Sequence, residues 1–481
     1  MPAADASEKY DAVVIGSGPN GLAAAIHLAR AGWKVLVLEG AETPGGGMRT
    51  KELTLPGFRH DVCSAVHPMG IGSPFFKTLD LEKHGVRWLQ PEVAVAHPLE
   101  GGRAGVAFRN LGRTIEALGQ DGGRYHRVFL PLVKHCDEIL GDALGPLGIP
   151  KHPLLMALLG VSGAQPASWF GGRFRTEEAR ALFAGNAAHG IMPLEKLFSS
   201  AIGIMLLVTA HAIGWPIPEG GTQTIADAMV MILKSHGGEL RCGVSVKSIA
   251  ELPPARAYLF DVSPKNLSAI CGEALPAGYR RRLEKYRHGP GIFKVDYALH
   301  APIPWANEFC RRAGTVHVGG TFEEVADAER AAWEGRLTDK PFALVVQPTL
   351  LDSTRAPQGK HTAWAYCHAP SGSTVSRLEA INAQIERFAP GFRDCILAAH
   401  TMNCADVERY NPNYIGGDII GGVTDLGQLF TRPVARWNPY TTPNPRIYIC
   451  SASTPPGGGV HGMCGYWAAE AARTRASIRQ D

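Results

Sequence analysis

Residues 11–39, DAVVIGSGPNGLAAAIHLARAGWKVLVLE, decide the architecture. Asp11 to Ile15 reads as a short buried strand, and Leu22 to Ala29 as an alanine-rich helix stopped by Gly32. Between them lies Gly16-Ser17-Gly18-Pro19-Asn20-Gly21, a G-x-G-x-x-G turn. Glycine is common here, 56 of 481 residues, so the turn alone decides little. Its setting decides more: strand before, helix after, and Glu39 closing the next apolar run, Val35 to Leu38. In this setting Gly16 permits the tight turn, Gly18 lets a pyrophosphate approach, and Gly21 lets helix pack on strand. Pro19 and Asn20 complete a helix N-terminus that offers free N–H groups to the phosphates. A carboxylate at Glu39 suits ribose hydroxyls and repels a 2′-phosphate, which favours FAD or NAD over NADP.

A second clamp separates FAD from NAD. Gly45, Gly46 and Gly47 allow close backbone packing, and Arg49, followed by Thr50, brings a permanent charge for the pyrophosphate. Gly45, Gly46, Arg49 and Thr50 match in order a G-G-x-x-R-[ST] signature. By that match the chain resembles the FAD-dependent amine oxidase and phytoene desaturase superfamily. Leu55 to Asp61, Arg355 to His361, Gln428 to Pro433 and Tyr440 to Pro443 resemble its phytoene-dehydrogenase-like branch. Within that branch the similarity is to the subgroup named for pyridine nucleotide-disulfide oxidoreductase domain-containing protein 2, although a redox Cys-x-x-Cys is absent.

The resemblance implies a non-covalent FAD and an α/β fold: a Rossmann-like FAD-binding domain interleaved with an α+β substrate domain of antiparallel sheet plus helices. It implies that Val246 faces the adenine through its backbone. It also implies that a helix from about Val460, after Pro456-Gly457-Gly458-Gly459, points its N-terminus at the flavin. Helix N–H groups there would stabilise the negative charge of a reduced ring. Gly458, Gly459 and Val460 are thus cofactor candidates, and His461 and Tyr440 the catalytic ones. His461 either touches flavin or substrate or only caps its turn. Cys464 reads as a buried thiol rather than a flavin attachment point.

If both ends bind one FAD, the flavin domain is discontinuous: 1–70, 216–289 and 431–481, with 71–215 and 290–430 forming the substrate domain. Val244 to Val246 and Tyr258 to Val262 read as strands of the first. Phe293, Val295, Tyr297 and Leu299 alternate with Lys294, Asp296 and Ala298, the period of a half-buried strand. Phe342 to Gln347 and Thr362 to Cys367 read as its partners.

Net charge is +4, which gives no case for nucleic acid. Only 19% of residues are charged, against about 25% in a typical soluble chain, as suits a large apolar interior or a surface that touches lipid. The ten cysteines are scattered without metal-finger spacing, so no metal site is expected. Met1 to Lys9 lacks the apolar core of a signal peptide, and with the cysteines this predicts reduced thiols and a cytoplasmic location, with peripheral membrane contact left open. Ala201 to Ile213 is the most apolar segment, too short to span a bilayer, and reads as a buried helix near a substrate channel.

The expected function is FAD-dependent oxidation of a largely apolar small molecule, by desaturation or dehydrogenation, or its isomerisation, with oxygen or quinone as acceptor. An amine oxidase of the same superfamily is the alternative, with Tyr440, Tyr466 and Trp467 supplying rings and Lys294 an ammonium. Against the latter, Lys294 and Asp296 read as a solvated salt-bridged face. A non-catalytic lipid-chain carrier of the same fold is a third reading, opposed by the intact glycines, Glu39 and Arg49.

Overall fold

The computed structural model describes residues 10–146 and 148–477; the signal-peptide reading of Met1 to Lys9 falls outside them. Two large sheets dominate the described residues. The first has five strands, in the order Ile447–Ile449, Ala255–Phe260, Tyr10–Ile15, Val35–Leu38, Glu239–Arg241. Every pairing in it is parallel. A parallel sheet is covered on both faces, which explains why Val35–Leu38 is buried at all four positions. Pro19–Arg30 covers one face, with Pro at its start and no acidic residue in its first turn.

Met463–Ser477 packs against Pro19–Arg30 so closely that a Cβ on Gly465 would collide with the Asn20 carbonyl oxygen. The helix expected from Val460 therefore begins three residues later, after the turn that ends in Gly462 (φ 70°). Val244–Val246, read as a strand, joins no ladder. Gly243 (φ 72°) turns the chain, and Val244 N–H donates to Glu39 O at 2.8 Å.

The second sheet has seven strands: Ile396–Met402, Gly291–Leu299, His361–Ala369, Ala343–Val346, Ala313–Val318, Val93–Pro98, Ala104–Phe108. Its pairings are antiparallel except that of Ala313–Val318 with Val93–Pro98. Gly291–Leu299 is buried at all nine positions, not on alternate faces. It lies between two other strands, and both of its faces are covered. Lys294 and Asp296 are therefore a buried ion pair, at 1% and 0% exposure, rather than a solvated face. His60 and His400 approach the same carboxylate at 3.7 and 3.5 Å.

The apolar helix is Ser199–Ala212, buried at eleven positions. No helix among the described residues is long and apolar enough to cross a membrane. One exposed apolar stretch stands out: Ile149, Leu154, Val161 and Trp169 are all more than two-thirds exposed.

Candidate cofactor and substrate site

A cavity of about 920 Å³ opens at the carboxyl ends of the parallel strands and reaches the second sheet. Open α/β sheets bind ligands at this end, and the volume lies in the range of sites for cofactor-sized molecules. Gly16, Gly18, Pro19, Asn20, Glu39, Gly46, Gly47 and Arg49 line one side, with Val246, Gly459 and Val460. Segments more than 440 residues apart in the sequence thus meet at one space.

Four further candidates shape the wall without lining it. A Cβ on Gly21 would collide with the Gly16 carbonyl oxygen, and Gly45 holds φ 122° while donating to Ser17 O at 3.0 Å. Thr50 Oγ1 donates to Asp61 Oδ1 at 2.7 Å, and a Cβ on Gly458 would come 2.7 Å from Ile420 O.

Glu39 is the hub of this side. Its Oε2 accepts from Ser17 N–H at 2.9 Å and from the Ser17 hydroxyl at 2.5 Å. Its Oε1 accepts from Ala41 N–H at 2.9 Å and from Arg49 at 3.1 Å. Arg49 also donates to Thr43 O and to Tyr410 Oη. Four donors hold the carboxylate at the end of its strand, and Ser17 is a partner the sequence reading passed over. We expect Glu39→Ala to leave the buried Arg49 guanidinium without its counter-ion, and Arg49→Ala to do the same to the carboxylate. Either protein should be purified with much less flavin, read as visible absorbance relative to protein absorbance. Unchanged flavin content in both would contradict the assignment.

The two catalytic candidates do not reach the cavity. Tyr440 is buried and donates to Pro455 O at 3.0 Å. His461 accepts from Met463 N–H at 3.0 Å through Nδ1, capping the helix that follows. Tyr466 and Trp467 are turned away too: the first packs on Phe75 and the second donates to Leu144 O. Lys294 stays behind the wall, 5.7 Å from the Trp364 ring centroid. The Cys464 thiol, pushed up to about 11 by burial, faces Thr454 O and Gly457 O rather than the cavity.

Other rings do line it. Trp364 and Tyr366 line the cavity, stacked 5.6 Å apart with 12° between their planes. Residues two apart on one strand share a face, so the pair was available to a period-two reading. The second sheet adds Thr315, Leu344 and Val346, and none of these five is charged. Leu206 of the apolar helix lies on the same cavity, as do His67 and His189. His189 Nε2 meets His317 Nε2 at 2.9 Å, and behind them His97 Nε2 donates to Gly320 O at 2.8 Å.

Burial holds these imidazoles neutral, pushing His60, His67, His97, His211 and His461 down to about 4 and His189 to about 3. Unfolded histidines titrate near 6.5, so the unfolded chain binds more protons between the two values. Their stabilising contribution is full above about pH 6.5 and is lost as pH falls toward about 4. The thermal unfolding midpoint should therefore fall steeply across that window; a flat midpoint there would contradict it.

Such a site on such a fold defines a Rossmann-type flavoprotein oxidoreductase with non-covalent FAD. Residues 14–80 match the NAD(P)-binding Rossmann-like domain family. In sequence and structure the chain is similar to the FAD-dependent amine oxidase and phytoene desaturase superfamily. Pyridine nucleotide-disulfide oxidoreductase domain-containing protein 2 of Rattus norvegicus is 25% identical, over 95% of this chain and 92% of its own length. Phytoene dehydrogenase of Streptomyces griseus is 25% identical over 80% of this chain and 77% of its own. Among solved structures, a redesigned putrescine oxidase superposes with a TM-score of 0.61 at 17% identity, covering 98% of this chain and 99% of that one.

Proposed function

We propose that the protein oxidises an apolar amine held uncharged against the Trp364 and Tyr366 rings, with Leu206, Leu344 and Val346 enclosing its hydrocarbon part. When bound, FAD supplies the hydride acceptor. The chain's own contribution is to hold the cofactor through the glycine turn and Glu39, and to present the substrate to a wall without a counter-ion. Such a wall disfavours an ammonium and favours the neutral amine, whose C–H bond is the better hydride donor. The stacked aromatic pair is the observation that carries this reading, and the fold shared with a putrescine oxidase supports it.

Desaturation or double-bond isomerisation of an apolar CH–CH unit is the second reading, favoured by the sequence similarity to a phytoene dehydrogenase and by the uncharged wall. We further propose the domain division 1–70, 216–289 and 431–481 around the cofactor, with 71–215 and 290–430 around the substrate. Anaerobic titration of the purified yellow protein tests the choice. Bleaching by apolar amines but not by polyenes, with recovery under oxygen, supports the first reading. Bleaching by polyenes only, with recovery by quinone, supports the second. Bleaching by neither class, with the polyenes recovered unisomerised, would remove both.

A further inference from the structure

Asp261 follows the strand Ala255–Phe260 and continues its ladder, donating from its backbone N–H to Ile15 O at 2.8 Å. Its side chain is wedged into the glycine turn. Oδ2 accepts from Gly21 N–H at 2.9 Å, and a Cβ on Gly18 would come 2.8 Å from the same oxygen. A Cβ on Gly16 would meet the Asp261 Cβ at 3.1 Å. The residue also lines the cavity. A carboxyl group thus occupies the helix N-terminus that the pyrophosphate of a dinucleotide requires.

Its neighbours make a second anion there unfavourable. At the end of Val35–Leu38 stands Glu39, whose charge already acts on Asp261 and whose counter-ion, Arg49, is bound to Glu39 itself. Cys450, from the end of Ile447–Ile449, and Cys464, from Met463–Ser477, lie near enough to feel its charge. Burial holds both thiols protonated, so neither offers a compensating charge. From Pro19–Arg30 comes only the Gly21 N–H.

We propose that Asp261 is a cofactor-binding residue in its neutral form: FAD binding takes up one proton from solvent onto this carboxyl, which then serves the pyrophosphate as a donor instead of repelling it. The proposal rests on the assignment of this cavity to FAD. Burial first, and Glu39 second, push the Asp261 carboxyl up to about 7 against the pull of the Gly21 N–H, so the proton is within reach at neutral pH.

The test is FAD affinity as a function of pH, measured by flavin fluorescence quenching on reconstitution of the apoprotein. For one proton taken up, affinity falls about tenfold per pH unit above about pH 7 and levels off below it. Calorimetry at pH 8 in two buffers of different ionisation enthalpy should count close to one proton bound per FAD. Asp261→Asn keeps an acceptor for Gly21 N–H and carries a permanent donor; its affinity should stay at the acid-side value throughout, with no proton bound. A flat wild-type profile with no proton uptake overturns the proposal, as does an unchanged slope in the variant. Should the variant fail to fold, the wild-type proton count decides alone. If the wild-type protein takes up no FAD at any pH, the cofactor assignment itself fails, which is a different result from pH-independent binding.

Discussion

Gly465→Val is expected to yield protein without flavin. The helix Met463–Ser477 rests on the glycine turn through this residue: a Cβ there would collide with the Asn20 carbonyl oxygen and come 3.0 Å from Ala24 N. Both obstacles are backbone, which cannot swing aside as a side chain does, so the helices must part. Asn20 lines the cavity, and its displacement moves the glycine turn assigned here to the cofactor phosphates. Flavin absorbance per protein, together with circular dichroism to follow helix content, reads the outcome. Gly123→Ala is the matching control, since its Cβ would meet nothing within 4 Å. A yellow Gly465→Val protein with wild-type flavin content would show that this contact is dispensable.

Arg355→Met should have the largest effect on stability. Arg355 and Asp61 form a fully buried ion pair at 2.8 Å, and Arg355 Nε also donates to Arg59 O. Burial, the largest single influence, would raise the Asp61 carboxyl, but the guanidinium together with the Thr222 N–H and Thr50 hydroxyl holds the group below the ordinary range. Thr50 Oγ1 and Thr222 N–H complete its shell, so this one carboxylate ties the segment that ends in Arg49 and Thr50 to the segment leading into His361–Ala369. Removing one partner leaves a buried charge uncompensated, at about 3–5 kcal/mol. The unfolding midpoint of the flavin-bound protein should fall accordingly. Asp61→Asn combined with Arg355→Met should recover part of the loss, because no orphaned charge remains. A single substitution that leaves the midpoint unchanged would mean that the pair contributes nothing.

The cofactor half was far more legible than the substrate half. Strand, turn and helix over Tyr10–Arg30 follow from local period and glycine spacing, and Glu39 follows from its distance along the chain. Those are short-range signals. Which way Tyr440 and His461 point depends on packing against residues distant in sequence, and both are turned inward, to Pro455 and to Met463. Period two along Gly291–Leu299 correctly indicates a strand, yet it says nothing of what covers the second face. There Lys294 and Asp296 satisfy each other in the interior. Asp261 was readable as an acid ending an apolar strand, but its closeness to Gly18 emerges only when that strand lies beside Tyr10–Ile15.

The order of strands in the parallel sheet also bears on biosynthesis. Its edge strand at Ile447–Ile449 pairs with Ala255–Phe260, almost two hundred positions earlier, so a ribosome must travel that distance before the edge closes. Until then the nascent polypeptide has neither that edge nor the buttress of Met463–Ser477, and long-range pairing of this sort is slow and aggregation-prone. A cofactor that needs both ends of the chain should accordingly load late, and a product cut short before residue 447 is expected to emerge colourless whatever the state of its amino-terminal fingerprint.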